Sequence, residues 1–233
     1  MATRARKSPT GKPANFIEED GEQVLENIKG KYDNNKKIIN GAITAILVIA
    51  GATIGYFKLY KEPRENKGLT VLNSAQQLVA IDSLDRALNG DGVSPGFLKI
   101  IDKYSGTKAE NLARYYAGMI YLKQGNFKNA ISNLEKFDGD ETIFETAANG
   151  ALGDAYLESG NMEKALDFYK KAAADPEDNV LAPTYLSRAA LICEKQNKTD
   201  KAIELYKRLK ADYPQSTAAR DIDKTLARLG VLD

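Results

Sequence analysis

The 233 residues contain no histidine, no tryptophan and one cysteine. Without histidine the chain lacks the commonest general base and the commonest metal ligand. The lone Cys193 cannot form an internal disulfide or a cysteine-based metal site, and it sets no redox compartment. An excess of one charge is also missing. The 33 basic and 32 acidic residues leave a net charge of +1, so no field draws the chain to nucleic acid or to an acidic partner. No recognised catalytic motif is present. Asp85, Asp154 and Glu158 are the nominees for acid–base work, but charges on a helical surface ordinarily face solvent. The expectation is a protein that is not an enzyme, with no catalytic, cofactor-binding or metal-binding residues.

What is there begins with Ile38 to Phe57, IINGAITAILVIAGATIGYF, twenty consecutive residues without a formal charge. At about 1.5 Å per residue this run spans the roughly 30 Å hydrocarbon core of a bilayer. Backbone groups in that core must be satisfied internally, so the run is expected to be one helix. Lys36 and Lys37 precede it, and Lys58, Tyr60 and Lys61 follow, where amphipathic side chains anchor at an interface. The 37 residues before it and the KLYKEPRENK after it, with no small-residue cut site, argue for an uncleaved anchor over a signal peptide.

Beyond the anchor the sequence is rich in Ala, Leu, Lys and Glu, with apolar residues at three and four spacing, which predicts helices throughout. It also repeats. AGMIYLKQGNFKNAISNL from Ala117, LGDAYLESGNMEKALDFY from Leu152 and AALICEKQNKTDKAIELY from Ala189 align position by position. Small residues recur at Gly118, Gly153 and Ala190, and Tyr121, Tyr156 and Cys193 share the next equivalent place. Turns recur at Gly125-Asn126, Gly160-Asn161 and Asn197-Lys198. Alanines recur at Ala130, Ala165 and Ala202, and large residues close each unit at Leu134, Tyr169 and Tyr206. Each unit reads as two helices joined by a Gly/Asn turn, with the small residue and the alanine letting the backbones approach. One pair cannot bury its apolar face alone, so at least three must stack. The pattern resembles the tetratricopeptide repeat.

The expected organisation is all-α: a head at 1–37, a single transmembrane helix at 38–57, a polar linker at 58–68 and a helical-repeat solenoid at 69–233. Within the solenoid, 69–104 reads as a degenerate opening pair, with helical spacing from Leu69 to Leu88 and a turn at Asn89-Gly90-Asp91-Gly92. Full repeats follow at about 108–139, 143–176 and 180–214. Thr107 and Glu110 read as a capping box for the first of these. Ser216 reads as the N-cap of a capping helix at 217–229 that runs from Thr217 to Arg228 and ends at Gly230. In the head, basic Met1 to Asn15 is expected to be disordered and Phe16 to Lys31 to form a short acidic helix, a mobile tether or a recruiting segment.

The repeat region is similar to a membrane-anchored tetratricopeptide family common in Bacteroidota. The residues that carry this are Ser83-Leu84-Asp85-Arg86-Ala87-Leu88-Asn89-Gly90-Asp91-Gly92, Pro95-Gly96-Phe97, Asn111-Leu112-Ala113-Arg114-Tyr115-Tyr116-Ala117-Gly118, Gly153-Asp154-Ala155-Tyr156 and Tyr185-Leu186. The layout also resembles the ancillary subunit of the bacterial Sec translocon. That resemblance implies a bacterial inner-membrane protein, single-pass, with a cytoplasmic N-terminus, a periplasmic repeat domain and a chaperone-like role toward secreted or unfolded clients. Lys and Arg near the two ends of the anchor tie, and only the distal Arg4, Arg6, Lys7 and Lys12 favour the head inside.

In repeats of this type the first helix of each pair lines the concave face. By register this implies a protein-binding set of Tyr115, Met119, Leu122, Asp154, Leu157, Glu158, Ser187, Leu191 and Glu194. Some family members clamp a terminal carboxylate there with Lys and Asn. Tyr115 and Met119 hold those two places here, so terminal-carboxylate capture is not expected. The alternative is a structural subunit that docks through its convex surface or through Gly51-Ala52-Thr53-Ile54-Gly55 in the membrane helix.

Overall fold

The computed structural model describes residues 15–139 and 144–231. The basic segment before Asn15 and the start of the second repeat at 143 lie outside the described residues. Contacts divide the chain into two units after Tyr60.

The first unit is dominated by α1, Asn15–Tyr56, a helix of 42 residues. In the described part of the head, the helix expected at Phe16 to Lys31 is not a short separate one: it belongs to α1, which runs unbroken from Asn15 into the apolar stretch. No proline occurs between Pro13 and Pro63, and extending an existing helix costs far less than nucleating one. The apolar stretch is long enough to cross a membrane and none of it is buried. Its two threonine hydroxyls are satisfied internally: Thr44 Oγ1 donates to the Asn40 carbonyl at 2.8 Å and Thr53 Oγ1 to the Ile49 carbonyl at 2.7 Å.

A π-helical turn, Phe57–Lys61, precedes α2, Glu62–Ala80. The linker expected at 58–68 is therefore helical. Pro63 suits the first turn of α2, where no backbone N–H is needed. Arg64 donates to the Lys103 carbonyl at 2.9 Å, and the Glu65 carboxylate accepts from the Lys108 N–H at 2.9 Å. Gly68 is buried, and a Cβ built there would stand 3.2 Å from the Tyr104 ring and 2.8 Å from Ala109 Cβ. These residues belong to the repeat domain because they pack, which their polarity concealed.

The helix expected from Leu69 to Leu88 breaks at Asp82, whose φ is +56°. Leu84–Asn89 forms a separate α3 and Phe97–Lys103 forms α4. The turn at Asn89–Gly92 is present. Gly90 takes φ +99°, and the Asp91 carboxylate accepts from the Val93 and Ser94 N–H groups at 2.9 and 2.6 Å.

Three helix pairs follow: α5 Lys108–Lys123 with α6 Phe127–Leu134, α7 Glu145–Glu158 with α8 Met162–Ala172, and α9 Ala182–Lys195 with α10 Thr199–Asp212. Their turns share one geometry, with Gly125 at φ +73°, Gly160 at +84° and Asn197 at +57°. Asn126 and Asn161 then cap the second helices, accepting from the Asn129 and Lys164 N–H groups at 3.3 and 3.1 Å. Lys198 holds the same place with no side-chain cap.

The small residues seat the large closing ones. A Cβ on Gly118 would lie 2.5 Å from Leu134 Cγ, and one on Gly153 would lie 2.5 Å from Tyr169 Cε1. Ala130, Ala165 and Ala202 are fully buried. One buried cluster, including Leu72, Phe97 and Ile100, gathers α2 to α5, and a second runs from Tyr115 through Leu186 to Leu226. The capping helix expected from Thr217 to Arg228 is split into a 3-10 turn, Thr217–Ala219, and α11, Ile222–Arg228. Ser216 Oγ accepts from the Ala219 N–H at 3.2 Å, and Gly230 takes φ +88°.

Candidate functional site, the groove across three helix pairs

An open cavity of about 690 Å³ lies across the first helices of the three pairs. Leu122, Leu157, Leu191 and Ile192 supply its apolar wall, with Phe127 from the start of α6. Asp154, Glu158, Arg188 and Lys195 supply its polar groups. Of the residues expected on this face, Leu122, Asp154, Leu157, Glu158 and Leu191 are brought together. Leu191 is 50 % exposed.

The other four are placed differently. Tyr115 is only 8 % exposed. Its ring packs 5.3 Å from that of Phe137 and 4.9 Å from that of Phe144, so it is a core residue and does not line the cavity. Phe137 and Phe144, on either side of the connection from α6 to α7, cover it; the helical register of Tyr115 alone did not reveal them. Burial also pushes the Tyr115 phenol above its ordinary value. Met119 is half-buried against the same cluster. Ser187 is half-buried outside the cavity lining. Glu194 is held from α10 and from the cap: it accepts from Tyr206 Oη at 2.7 Å and from Arg228 at 2.8 Å. Burial alone would raise the Glu194 carboxyl, but the Tyr206 and Arg228 bonds outweigh it and hold the group below the usual carboxylate range.

A similar arrangement stands one pair earlier. Tyr169 Oη donates to Asp154 at 2.6 Å, and Arg188 pairs with the same carboxylate. The Arg188 guanidinium also lies 5.9 Å from the Tyr169 ring centroid and 5.6 Å from that of Tyr185. Each arginine follows its acid by 34 residues, so each clasp ties one repeat to the next element. Burial first, then the bond to its carboxylate, raises the phenols of Tyr169 and Tyr206 well above the ordinary value. The sequence reading missed Arg188, Phe127 and Lys195. The recurring acid-to-arginine separation was the available signal for the first. The capping box is half as expected: Thr107 Oγ1 accepts from the Glu110 N–H at 3.2 Å, but the Glu110 carboxylate takes the Gly106 N–H at 3.3 Å.

The groove presents a partly exposed aliphatic surface beside charges of both signs. Among the described residues no cluster of three metal-binding side chains occurs. Such a surface suits non-covalent contact with another chain. No curated protein matches the sequence. Residues 112–138 and 186–216 match one tetratricopeptide-repeat family model, and residues 144–179 match a second. The segment behind the groove thus carries tetratricopeptide repeats, which mark the chain as a protein–protein interaction scaffold.

Proposed function

We propose that this chain is a membrane-anchored scaffold. Its repeat domain holds client or partner proteins in the groove, in a chaperone-like role near the inner-membrane translocon. The head lies in the cytoplasm and the repeat domain in the periplasm. The observation that carries the groove reading is the aliphatic wall of half-buried Leu122 and Leu157 and exposed Leu191 in an open cavity of about 690 Å³. Anchoring is supported by the apolar part of α1, which is unburied and long enough to span a bilayer. A flexible client must be ordered on binding, so affinity is modest.

Photo-crosslinkers placed at Leu157 and Leu191 in the membrane-bound chain test this. They capture periplasmic or secretory proteins, and Leu191→Asp lowers the recovery without changing the melting temperature. The structural-subunit alternative has its own support in α1, where nothing lies within 4 Å of a Cβ built at Gly51 or Gly55, leaving room for a neighbouring helix. Crosslinks from the Ile38 to Phe57 helix to an integral membrane protein, with none from the groove, would establish that role instead.

A further inference from the structure

The first helices of the three pairs end on Lys123, Glu158 and Lys195, and all three residues line the groove. A helix C-terminus carries partial negative charge, which favours lysine there and opposes glutamate. Lys123 pairs with Asp82 at 2.8 Å, and Asp154 pairs with Arg188. Glu158 and Lys195 are both exposed, and among the described residues no hydrogen bond or ion pair reaches either side-chain charge. Glu158 is therefore a carboxylate at a helix end that disfavours it, with no direct ion pair in compensation among the described residues. A local choice that works against stability marks a place shaped by something else. Beside these two opposite charges stand Leu122, Leu157 and Leu191.

Resting on the groove reading above, we propose that the occupant is an extended polypeptide segment with a short apolar run flanked by one basic and one acidic residue. The apolar run covers the leucine wall. The basic residue meets Glu158 and the acidic residue meets Lys195. The complementarity is dipolar, so a segment with like charges on both flanks leaves one groove charge repelled.

The test uses the full-length chain in lipid nanodiscs and three labelled peptides with one leucine-rich run. Their flanks are Lys and Glu, Lys and Lys, or Glu and Glu, and binding is read by fluorescence anisotropy. The native chain binds the Lys/Glu peptide about three- to fivefold more tightly than either twin, because each twin exchanges one exposed ion pair for a repulsion. Glu158→Lys moves the preference to the Glu/Glu peptide and Lys195→Glu moves it to the Lys/Lys peptide. High salt compresses all three affinities toward one value. Equal binding of the three peptides by the native chain, with no reordering in either variant, overturns the charge assignment while leaving the apolar groove standing. No binding of any peptide removes the groove reading itself, and the charge assignment with it.

Discussion

Single side chains decide how closely the helices of each pair approach. Gly153 leaves the space that the Tyr169 ring fills, with a built Cβ only 2.5 Å from Cε1. Gly153→Ala therefore overpacks the α7–α8 contact and costs about 1–3 kcal/mol in urea unfolding, as does Ala165→Leu at a fully buried position. Glu158→Ala stays within about 0.5 kcal/mol of the native chain, because Glu158 is exposed at a helix end that does not favour it. The phenols of Tyr169 and Tyr206 titrate higher in the folded state than in the unfolded one. A folded value above the unfolded value gives stability that is complete below the unfolded value and lost as pH rises beyond it. Unfolding free energy is thus expected to fall from about pH 10 upward. In Tyr169→Phe/Tyr206→Phe that alkaline fall is shallower. Glu194 works in the opposite sense. Its folded value is depressed, so its contribution is present above about pH 4.3 and lost as pH falls through the lower folded value.

At the scale of helices, the three pairs differ most at the turn. The first two follow Gly-Asn, with glycine in the left-handed region and asparagine as a working cap. The third has Asn197 in the left-handed place and Lys198 without a side-chain cap bond. Asn161→Ala is expected to cost about 1 kcal/mol, and Lys198→Asn to add about 0.5–1 kcal/mol by restoring the cap, both read from chemical denaturation midpoints. If Lys198→Asn left the midpoint unchanged, the third turn would differ from the others in more than its residues. The capping segment supplies Ala219, Ile222 and Leu226 to the core cluster. A chain truncated after Gln215 exposes that surface and melts at lower temperature with less cooperativity, because each element of a stacked array is stabilised by its neighbours.

For the whole molecule, the division after Tyr60 defines a deletion. A fragment that starts at Lys61 keeps the Arg64 and Glu65 bonds to the turn before α5. It is expected to be soluble, helical and cooperative in a thermal melt. A fragment that starts at Leu69 loses those bonds and the Gly68 contact, and melts lower. Retention of the longer fragment on membranes after a salt wash would reveal a second membrane-binding surface. Orientation is tested at Val93, which is 93 % exposed. In a Cys193→Ala background, Val93→Cys is expected to react in intact cells with a thiol reagent that cannot cross the inner membrane. Reaction only after lysis would reverse the proposed topology.

The sequence by itself determined the kinds of element and their repetition. The twenty uncharged residues from Ile38 to Phe57 pointed to one helix, and α1 contains all of them but Phe57. The aligned Gly118, Gly153 and Ala190 and the Gly-Asn turns required pairs of close helices, since local backbone conformation and side-chain volume are written in adjacent residues. Leu122, Leu157 and Leu191 followed from helical register. Tertiary structure alone decided what lies over each register position. Two rings 22 and 29 residues beyond Tyr115 turn a groove position into core. Arginines 34 residues beyond Asp154 and Glu194 turn exposed acids into clasps. The polar Glu62 to Gly68 becomes part of a packed helix through Lys103, Lys108 and Tyr104. Register says which way a side chain points from its own helix. Burial and pairing depend on which distant residues arrive opposite it, and no local pattern carries that.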